Sequence, residues 1–317
     1  MRLRPARLPS PALAGVFVCA LLALGGCATP QMSQLSGVWP AELPEKAVLS
    51  NTPFIAQEDY ECGPAALAMV LQSAGLSVTA EQLVDQVYLP NRKGSLQIEV
   101  LAASRRNGLP GYVLAPQVDA VLREVAAGHP VLVFQNLSLP VYPVWHFAVV
   151  MGYDRERNTM QLHSGRTQAM EMSLYAFERT WERGGYWAMV ALPTDQLPAT
   201  AQPDPMARAI AALERVQPAA AQTAYRTALQ KWPTQRALML GAGNTAYALQ
   251  QWNAAEAAYL VATQAYPDFA DAWNNLAEVL LQQNKRAEAQ IAIAHAVALG
   301  GVRLPQYLEL QKKIAAP

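Results

Sequence analysis

The stretch QEDYECGPAALAMVL, residues 57–71, places a cysteine directly before a predicted helix. Cys62 is the only cysteine beyond residue 27. Gly63 allows close approach of the backbone, and Pro64 suits the first helical turn, where an amide hydrogen has no partner within the helix. Because the helix dipole is positive at this end, it favours the thiolate and lowers the pKa of a cysteine placed there. The stretch therefore indicates a nucleophilic Cys62.

Residues 1–26 have the features of an export signal. Three arginines precede the apolar run ALAGVFVCALLAL, which is too short to span a bilayer stably. LGGC at residues 24–27 resembles the lipobox of bacterial lipoproteins. That resemblance implies lipidation of Cys27 and, since no aspartate follows it directly, anchoring in the outer membrane facing the periplasm. A secretory signal without lipidation is the alternative.

Export changes what Cys62 can do. Cys19 would leave with the signal and Cys27 would carry lipid, so Cys62 could not form a disulfide within its own chain. A lone thiol in an oxidising compartment is either a buried apolar side chain or a group used in chemistry. Both interpretations remain open on this evidence alone.

The charge balance argues against nucleic acid as a partner. The chain has 24 basic and 24 acidic residues, and removal of the signal would leave 21 basic residues against 24 acidic ones. A slightly acidic mature chain lacks the positive charge on which polyanion binding depends.

Residues 27–52 are rich in proline, serine and small polar residues, which predicts a tether between the membrane and a first domain at 53–193. Helices are predicted at 63–73, 80–87 and 96–106, the second with a TAEQ capping box. Five short apolar runs follow and predict strands: GYVLA, PVLVFQNL, WHFAVVMGY, TMQLHSG and YWAMVAL. Helices followed by strands indicate an α+β domain.

A second domain is predicted at 206–317, after a proline-rich linker at 194–205. Its sequence is rich in alanine and repeats with a period of about 34 residues. The matching positions are Ala221, Ala255 and Ala289; Ala228, Ala262 and Ala296; Tyr225 and Tyr259; and Pro233 and Pro267. The period and the alternation of small and large residues resemble tetratricopeptide repeats, which implies an all-α solenoid that binds a protein partner.

A cysteine nucleophile needs a base and donors for the oxyanion. Among the four histidines, His146 opens the apolar strand HFAVVMGY, where it can be brought against the helix that begins at Cys62. Gln57 precedes the cysteine by five residues, so its carboxamide could donate to the same oxyanion as the amide of Cys62.

These residues carry a family resemblance. Gln57, the motif CGPAALAMVL and the later HFAVVMGYD resemble the papain-like bacteriocin-processing peptidases, cysteine peptidase family 39, over about residues 53–192. The resemblance implies a papain-like fold and a glutamine, cysteine, histidine and acid arrangement, with Gln57, Cys62 and His146 in the first three roles. It implies no cofactor and no metal.

The fourth role departs from the family pattern. Relatives carry an aspartate, often in a DP pair, in the strand that follows the histidine, whereas His163 and Ser164 stand in that place here. His163 is the expected replacement, since a neutral imidazole can accept a hydrogen bond from the ring of His146. Asn158 and Asp154 are alternatives if the intervening loop folds back.

The expected function is a membrane-anchored thiol peptidase that hydrolyses peptide bonds, with repeats that recruit a protein partner or substrate. Two other functions fit the same sequence. The domain could bind peptides without cleaving them, because an evident acid is absent, or it could transfer the acyl group of a thioester to an acceptor other than water.

Overall fold

The computed structural model describes residues 29–57 and 61–316. The expected signal peptide and the expected lipidation at Cys27 lie outside these residues. Within them, each helix is too short or too polar to cross a lipid bilayer.

Seven of the described strands form one antiparallel sheet. The strands are β1 (Lys46–Val48), β2 (Tyr88–Leu89), β3 (Gly94–Ser95), β4 (Gly111–Val113), β5 (Val131–Asn136), β6 (Trp145–Asp154), β7 (Thr159–Ser164), β8 (Thr167–Ser173) and β9 (Ala188–Ala191). The order across the sheet is β4-β9-β5-β6-β7-β8, and β1 pairs with the far end of β6. Strands β2 and β3 form a separate small hairpin.

Helices cover both faces of the sheet. In the first domain they are α1 (Pro30–Gly37), α2 (Cys62–Ser73), α3 (Ala80–Val87), α4 (Gln97–Arg106), α5 (Val118–Ala126) and α6 (Leu174–Arg183). An apolar core lies on each face of the sheet, and strand β6 contributes side chains to both because its side chains point alternately to the two faces. Phe147 and Val149 pack in the core that contains α2, whereas Ala148 and Val150 pack in the core that contains α5 and α6.

The three helices predicted before the strands are present as α2, α3 and α4. The capping box of α3 is formed, since Thr79 and Gln82 each satisfy the backbone amide of the other. Helix α2 is apolar on all sides and is buried from Gly63 to Leu71, so it occupies the centre of its layer. The α+β class predicted for the first domain is confirmed.

Residues 29–49 differ from the tether that their composition predicts. They contain α1 and β1, and Met32 and Leu43 are buried in the core. The buried Glu178 of α6 accepts hydrogen bonds from the amides of Gln31 and Met32, at 3.0 and 2.7 Å. A carboxylate that satisfies the free amides of a helix start holds the helix in place. The composition of residues 29–49 could not reveal that they pack against Glu178, because this partner lies far away in the sequence.

The remaining helices form the predicted repeat array. They are α7 (Pro203–Glu214), α8 (Pro218–Lys231), α9 (Arg236–Ala248), α10 (Trp252–Ala265), α11 (Ala270–Gln282), α12 (Arg286–Leu299) and α13 (Leu304–Ala315). The superposed alanines, at 221, 255 and 289 and at 228, 262 and 296, are all fully buried. At Gly241 an added Cβ would lie 2.1 Å from the ring of Tyr225, so close helix packing requires glycine there.

The array continues the core of the first domain. Met206 and Ile210 of α7 pack in the same apolar cluster as Tyr112 of β4. The hydroxyl of Tyr112 also donates to the carbonyl of Thr200 and accepts from the amide of Gln202. The repeats are therefore attached at the β4 edge of the sheet.

Candidate active site

Helix α2 and strand β6 bring Cys62 and His146 to one cleft of about 1180 Å³. Strand β7 pairs with β6 only from Val149 onward, so the backbone of Phe147 has no neighbouring strand on that side. Cys62 and Gln57 occupy the space of the missing strand. The cleft is lined, among the described residues, by Gln57, Cys62, Arg92–Gln97, Phe134, Pro143–Phe147, Gly165, Arg166 and Arg183–Gly185.

The thiol of Cys62 faces three backbone amides, those of Phe147, Gly63 and Cys62 itself. Burial raises the pKa of Cys62 above its ordinary value, and this effect exceeds the lowering by the three amides. The sequence predicted the opposite direction from the helix dipole alone. That prediction is wrong because the same packing that presents the amides also removes water from the sulfur.

His146 is held through one ring nitrogen. Its Nε2 lies 2.9 Å from the hydroxyl oxygen of Ser164. Burial lowers the pKa of His146 to about 4, so the imidazole is neutral at neutral pH. Within the described residues, no hydrogen bond joins His146 to the sulfur of Cys62. The resting pair is therefore a neutral thiol and a neutral imidazole that line the same cleft.

The carboxamide of Gln57 has a defined orientation. Its Oε1 accepts from the amide of Gly165 at 3.1 Å, and its Nε2 donates to the carbonyl of Phe147 at 3.3 Å. A carboxamide nitrogen carries two hydrogens, so one remains to donate elsewhere. Gln57 is buried and lines the cleft beside Cys62.

His163 does not meet His146. Residues opposite each other in an antiparallel pair share a face of the sheet, and His163 is opposite Val149 in the core that contains α2. Its Nε2 lies 3.2 Å from the carbonyl of Thr52, and its Nδ1 accepts from the amide of Ala169 at 3.1 Å. The side chain is buried and its ring packs edge-on against Phe54. The structure thus does not place His163 where it could orient His146.

The two alternatives lie at the wrong end of β6. Asp154 is bound by Lys46 at 3.0 Å and by the amide of Arg157. Asn158 adopts a left-handed backbone conformation in the turn before β7. Asp154 is eight residues along the strand from His146, which is about 26 Å at the usual rise of a strand. The residue that contacts the imidazole is Ser164, next to the position that the sequence favoured.

The site thus combines a thiol at a helix start, an imidazole on the adjoining strand and a flanking antiparallel sheet. Residues 49–189 match the model of the Peptidase_C39 like family. No curated protein matches the chain significantly.

Two solved structures are similar to parts of the chain. One is a C39-like peptidase from Bacillus anthracis, with 20% identity and a TM-score of 0.41, covering 47% of this chain and 98% of that one. The other is the first tetratricopeptide-repeat domain of Spaghetti (RPAP3) bound to an HSP90 peptide. It has 13% identity and a TM-score of 0.31, and the match covers 35% of this chain and 94% of that one.

Proposed function

We propose that the first domain is a thiol peptidase in which Cys62 is the nucleophile and His146 the general base. The sulfur of Cys62 attacks a peptide carbonyl carbon as its proton passes to His146. The carbon–nitrogen bond then breaks, and His146 returns the proton to the leaving amine. Water, deprotonated by His146, hydrolyses the thioester and releases the thiol.

One observation carries this proposal: the thiol of Cys62 lies against the backbone of Phe147, the residue that follows His146, and both side chains line one cleft. Ser164 binds Nε2 of His146. If that nitrogen carries the hydrogen, Nδ1 retains a lone pair that can accept the thiol proton. The neutral resting pair means that the proton moves when substrate is bound rather than before.

Three donors beside the sulfur are available to the oxyanion. The amides of Cys62 and Gly63 belong to the first turn of α2, where backbone N–H groups have no partner within the helix. The second hydrogen of the Gln57 carboxamide is the third donor. Donors held in place before the reaction stabilise charge that develops in the transition state.

The test is cleavage of a library of internally quenched peptides by the full chain. We expect cleavage by the wild type and its loss in Cys62→Ala and His146→Ala, with unchanged thermal unfolding. His295→Ala is the matched control, because it removes an imidazole from α12 in the repeat array. Cleavage that persists in Cys62→Ala would refute the assignment.

A second candidate is a domain that binds peptides without cleaving them. Two observations favour it: Nε2 of His146 meets a hydroxyl rather than a carboxylate, and no hydrogen bond joins the described atoms of Cys62 and His146. Binding of library peptides with no product from any of them, at any pH tested, would select this function. Products that form only when an amine is added would instead indicate acyl transfer.

We propose further that the repeat array binds a protein partner. Its support is a polar pocket of about 200 Å³ between α9 and α11, lined by Asn244, Tyr247, Tyr259, Asn274, Asn275 and Glu278. The described residues that line the catalytic cleft all precede residue 186, so the repeats leave that cleft uncovered. Pull-down with the wild type and with Asn275→Ala, in parallel, tests whether this pocket holds the partner.

Anchoring in the outer membrane through lipid on Cys27 is a proposal that rests on the LGGC motif alone. Metabolic labelling with a radioactive fatty acid should mark the wild-type chain and not Cys27→Ala. Density-gradient fractionation should place the wild type with outer-membrane markers. Label that is retained in Cys27→Ala would contradict lipidation at this residue.

A further inference from the structure

The hairpin between β5 and β6, residues 137–144, exposes an unusual amount of apolar surface. Leu139, Val141 and Tyr142 at its tip are 60%, 75% and 78% exposed, and Leu137, Val144 and Trp145 at its base are also exposed. Six exposed large apolar side chains thus lie within nine residues, and soluble surfaces rarely concentrate apolar area in this way without a use.

The hairpin is held in place by hydrogen bonds, so its exposure is not the result of fraying. Asn136 is buried, and its Oδ1 accepts from the amides of Ser138 and Val144 at 3.0 and 2.9 Å. The amide of Leu137 donates to the carbonyl of Val144 at 2.9 Å. These bonds keep the apolar tip directed outward.

The tip lies outside the catalytic cleft. Pro143, Val144 and Trp145 line the cleft, whereas Leu139, Val141 and Tyr142 do not. A peptide held beside Cys62 would therefore leave the tip uncovered. The stretch from Asn136 to Trp145 has no charged residue, and it carries tyrosine and tryptophan, which favour the boundary between lipid and water.

The start of the described chain lies at the same end of the sheet as the hairpin. Strands β4 and β5 both pair antiparallel to β9, so they run in the same direction and terminate at the same end of the sheet. Beyond β4, Gln31 of α1 accepts from the amide of Val118 and donates to the carbonyl of Pro116. Beyond β5 the chain enters the hairpin. Cys27 is only two residues before Thr29, which is at most about 7 Å of extended chain.

We propose that this hairpin is a membrane-contact element whose apolar tip enters the lipid interface next to the anchored N-terminus. Lipid on a terminal residue leaves the orientation of the domain open, and a second apolar contact at the interface restricts it. The two contacts would hold the mouth of the cleft at the membrane surface. The inference rests on the proposed lipid anchor at Cys27, concerns where the domain sits, and does not depend on whether Cys62 turns over a substrate.

The experiment places an environment-sensitive fluorophore on the tip. The full chain carrying Cys62→Ala and Val141→Cys is labelled with a nitrobenzoxadiazole dye and reconstituted into vesicles of phosphatidylethanolamine and phosphatidylglycerol. Part of the lipid carries a doxyl quencher on its acyl chain. We expect blue-shifted emission and quenching several-fold stronger than at a reference site. The Cys62→Ala chain without the added cysteine is the control that detects dye attached at any other position.

Two reference sites match the tip in exposure. Val302→Cys, between α12 and α13, tests a fully exposed apolar position in the repeats, and Ile98→Cys tests an exposed position at the start of α4 near the cleft. The comparison is made on chains that float with the vesicles, since a chain that stays in solution contradicts the lipid anchor and not the role of the hairpin. In floated chains, emission from position 141 that is no more blue-shifted or quenched than from these sites would overturn the proposal. A blue shift on addition of library peptide but not of vesicles would overturn it in favour of a peptide-docking hairpin.

Discussion

Ser164 holds His146 through a contact of 2.9 Å between Oγ and Nε2. A hydroxyl in this position can fix the tautomer and the angle of the ring, as a carboxylate does, but it brings no negative charge. In the proposed mechanism, the imidazolium of His146 would therefore be less stabilised than in a site with an acid. A hydroxyl partner therefore orients the imidazole of His146 well but leaves it a weak base.

Replacement of Ser164 by alanine should separate orientation from charge. We expect Ser164→Ala to lower kcat/KM about tenfold, as losses of outer contacts to an essential ligand do, with little change in KM. Ser164→Asp should raise the pKa of His146, because a nearby carboxylate favours the imidazolium. The pH profile of kcat/KM measures both effects. A Ser164→Ala enzyme with unchanged kcat/KM would show that the contact has no role in positioning.

His163 should behave as a structural residue. It is buried and makes two hydrogen bonds, to Thr52 and Ala169, so His163→Ala leaves a cavity and unpaired backbone groups. We expect a loss of about 2–4 kcal/mol in the free energy of unfolding. Below the unfolding transition kcat should stay close to that of the wild type. A large fall in kcat without loss of stability would restore the role that the sequence predicted for this residue.

The reactivity of Cys62 should rise with pH over an alkaline range. Burial keeps the pKa of the thiol above its ordinary value, and only the thiolate reacts with iodoacetamide. Without substrate, we expect the alkylation rate to keep increasing beyond about pH 9. His146→Ala should have the same profile, because the neutral imidazole does not hold the thiolate. A rate that is already maximal in weak acid would indicate an ion pair and contradict the neutral resting state.

Acid should destabilise the fold through His146. The folded pKa of about 4 lies below the ordinary 6.5, so between these values the unfolded chain binds a proton that the folded chain does not. The free energy of unfolding from this group therefore falls as the pH drops through this window, by about 3 kcal/mol in total, and is constant outside it. The difference between wild type and His146→Gln in urea titrations isolates the effect. A difference that does not depend on pH would contradict it.

The sequence located the residue that contacts His146, the fourth role, to within one position, and strand geometry explains the error. Neighbouring residues of β7 point to opposite faces, so choosing between His163 and Ser164 requires the register with β6. That register shifts at Met151, where β6 carries an extra residue between Val150 and Gly152. A bulge reverses the parity of one strand relative to the other, and nothing in the local sequence marks it.

Elements marked by a local motif or by the repeat period were predicted correctly from the sequence. Helices α8, α10 and α12 begin at Pro218, Trp252 and Arg286, with the same spacing as the superposed alanines. Contacts between distant parts of the chain could not be predicted in this way. The packing of α1 depends on the carboxylate of Glu178, and the raised pKa of Cys62 depends on how tightly α2 is buried.

Gly63, beside the nucleophile, provides a last prediction. A Cβ at this position would lie 2.3 Å from Oγ and 2.5 Å from Cβ of Ser95, a side chain of the small β2–β3 hairpin that lines the cleft. Gly63→Ala should therefore displace the start of α2 or the hairpin, at a cost of about 1–3 kcal/mol in the free energy of unfolding.

Cleavage by Gly63→Ala should fall as well, because the amide of Gly63 faces the sulfur. The double variant Gly63→Ala, Ser95→Gly removes both clashing atoms and should recover most of the lost stability and activity. Chemical unfolding and peptide cleavage measure the two recoveries separately. Since the clash involves one neighbouring side chain, a double variant as impaired as Gly63→Ala would show that the glycine is needed for its backbone freedom instead.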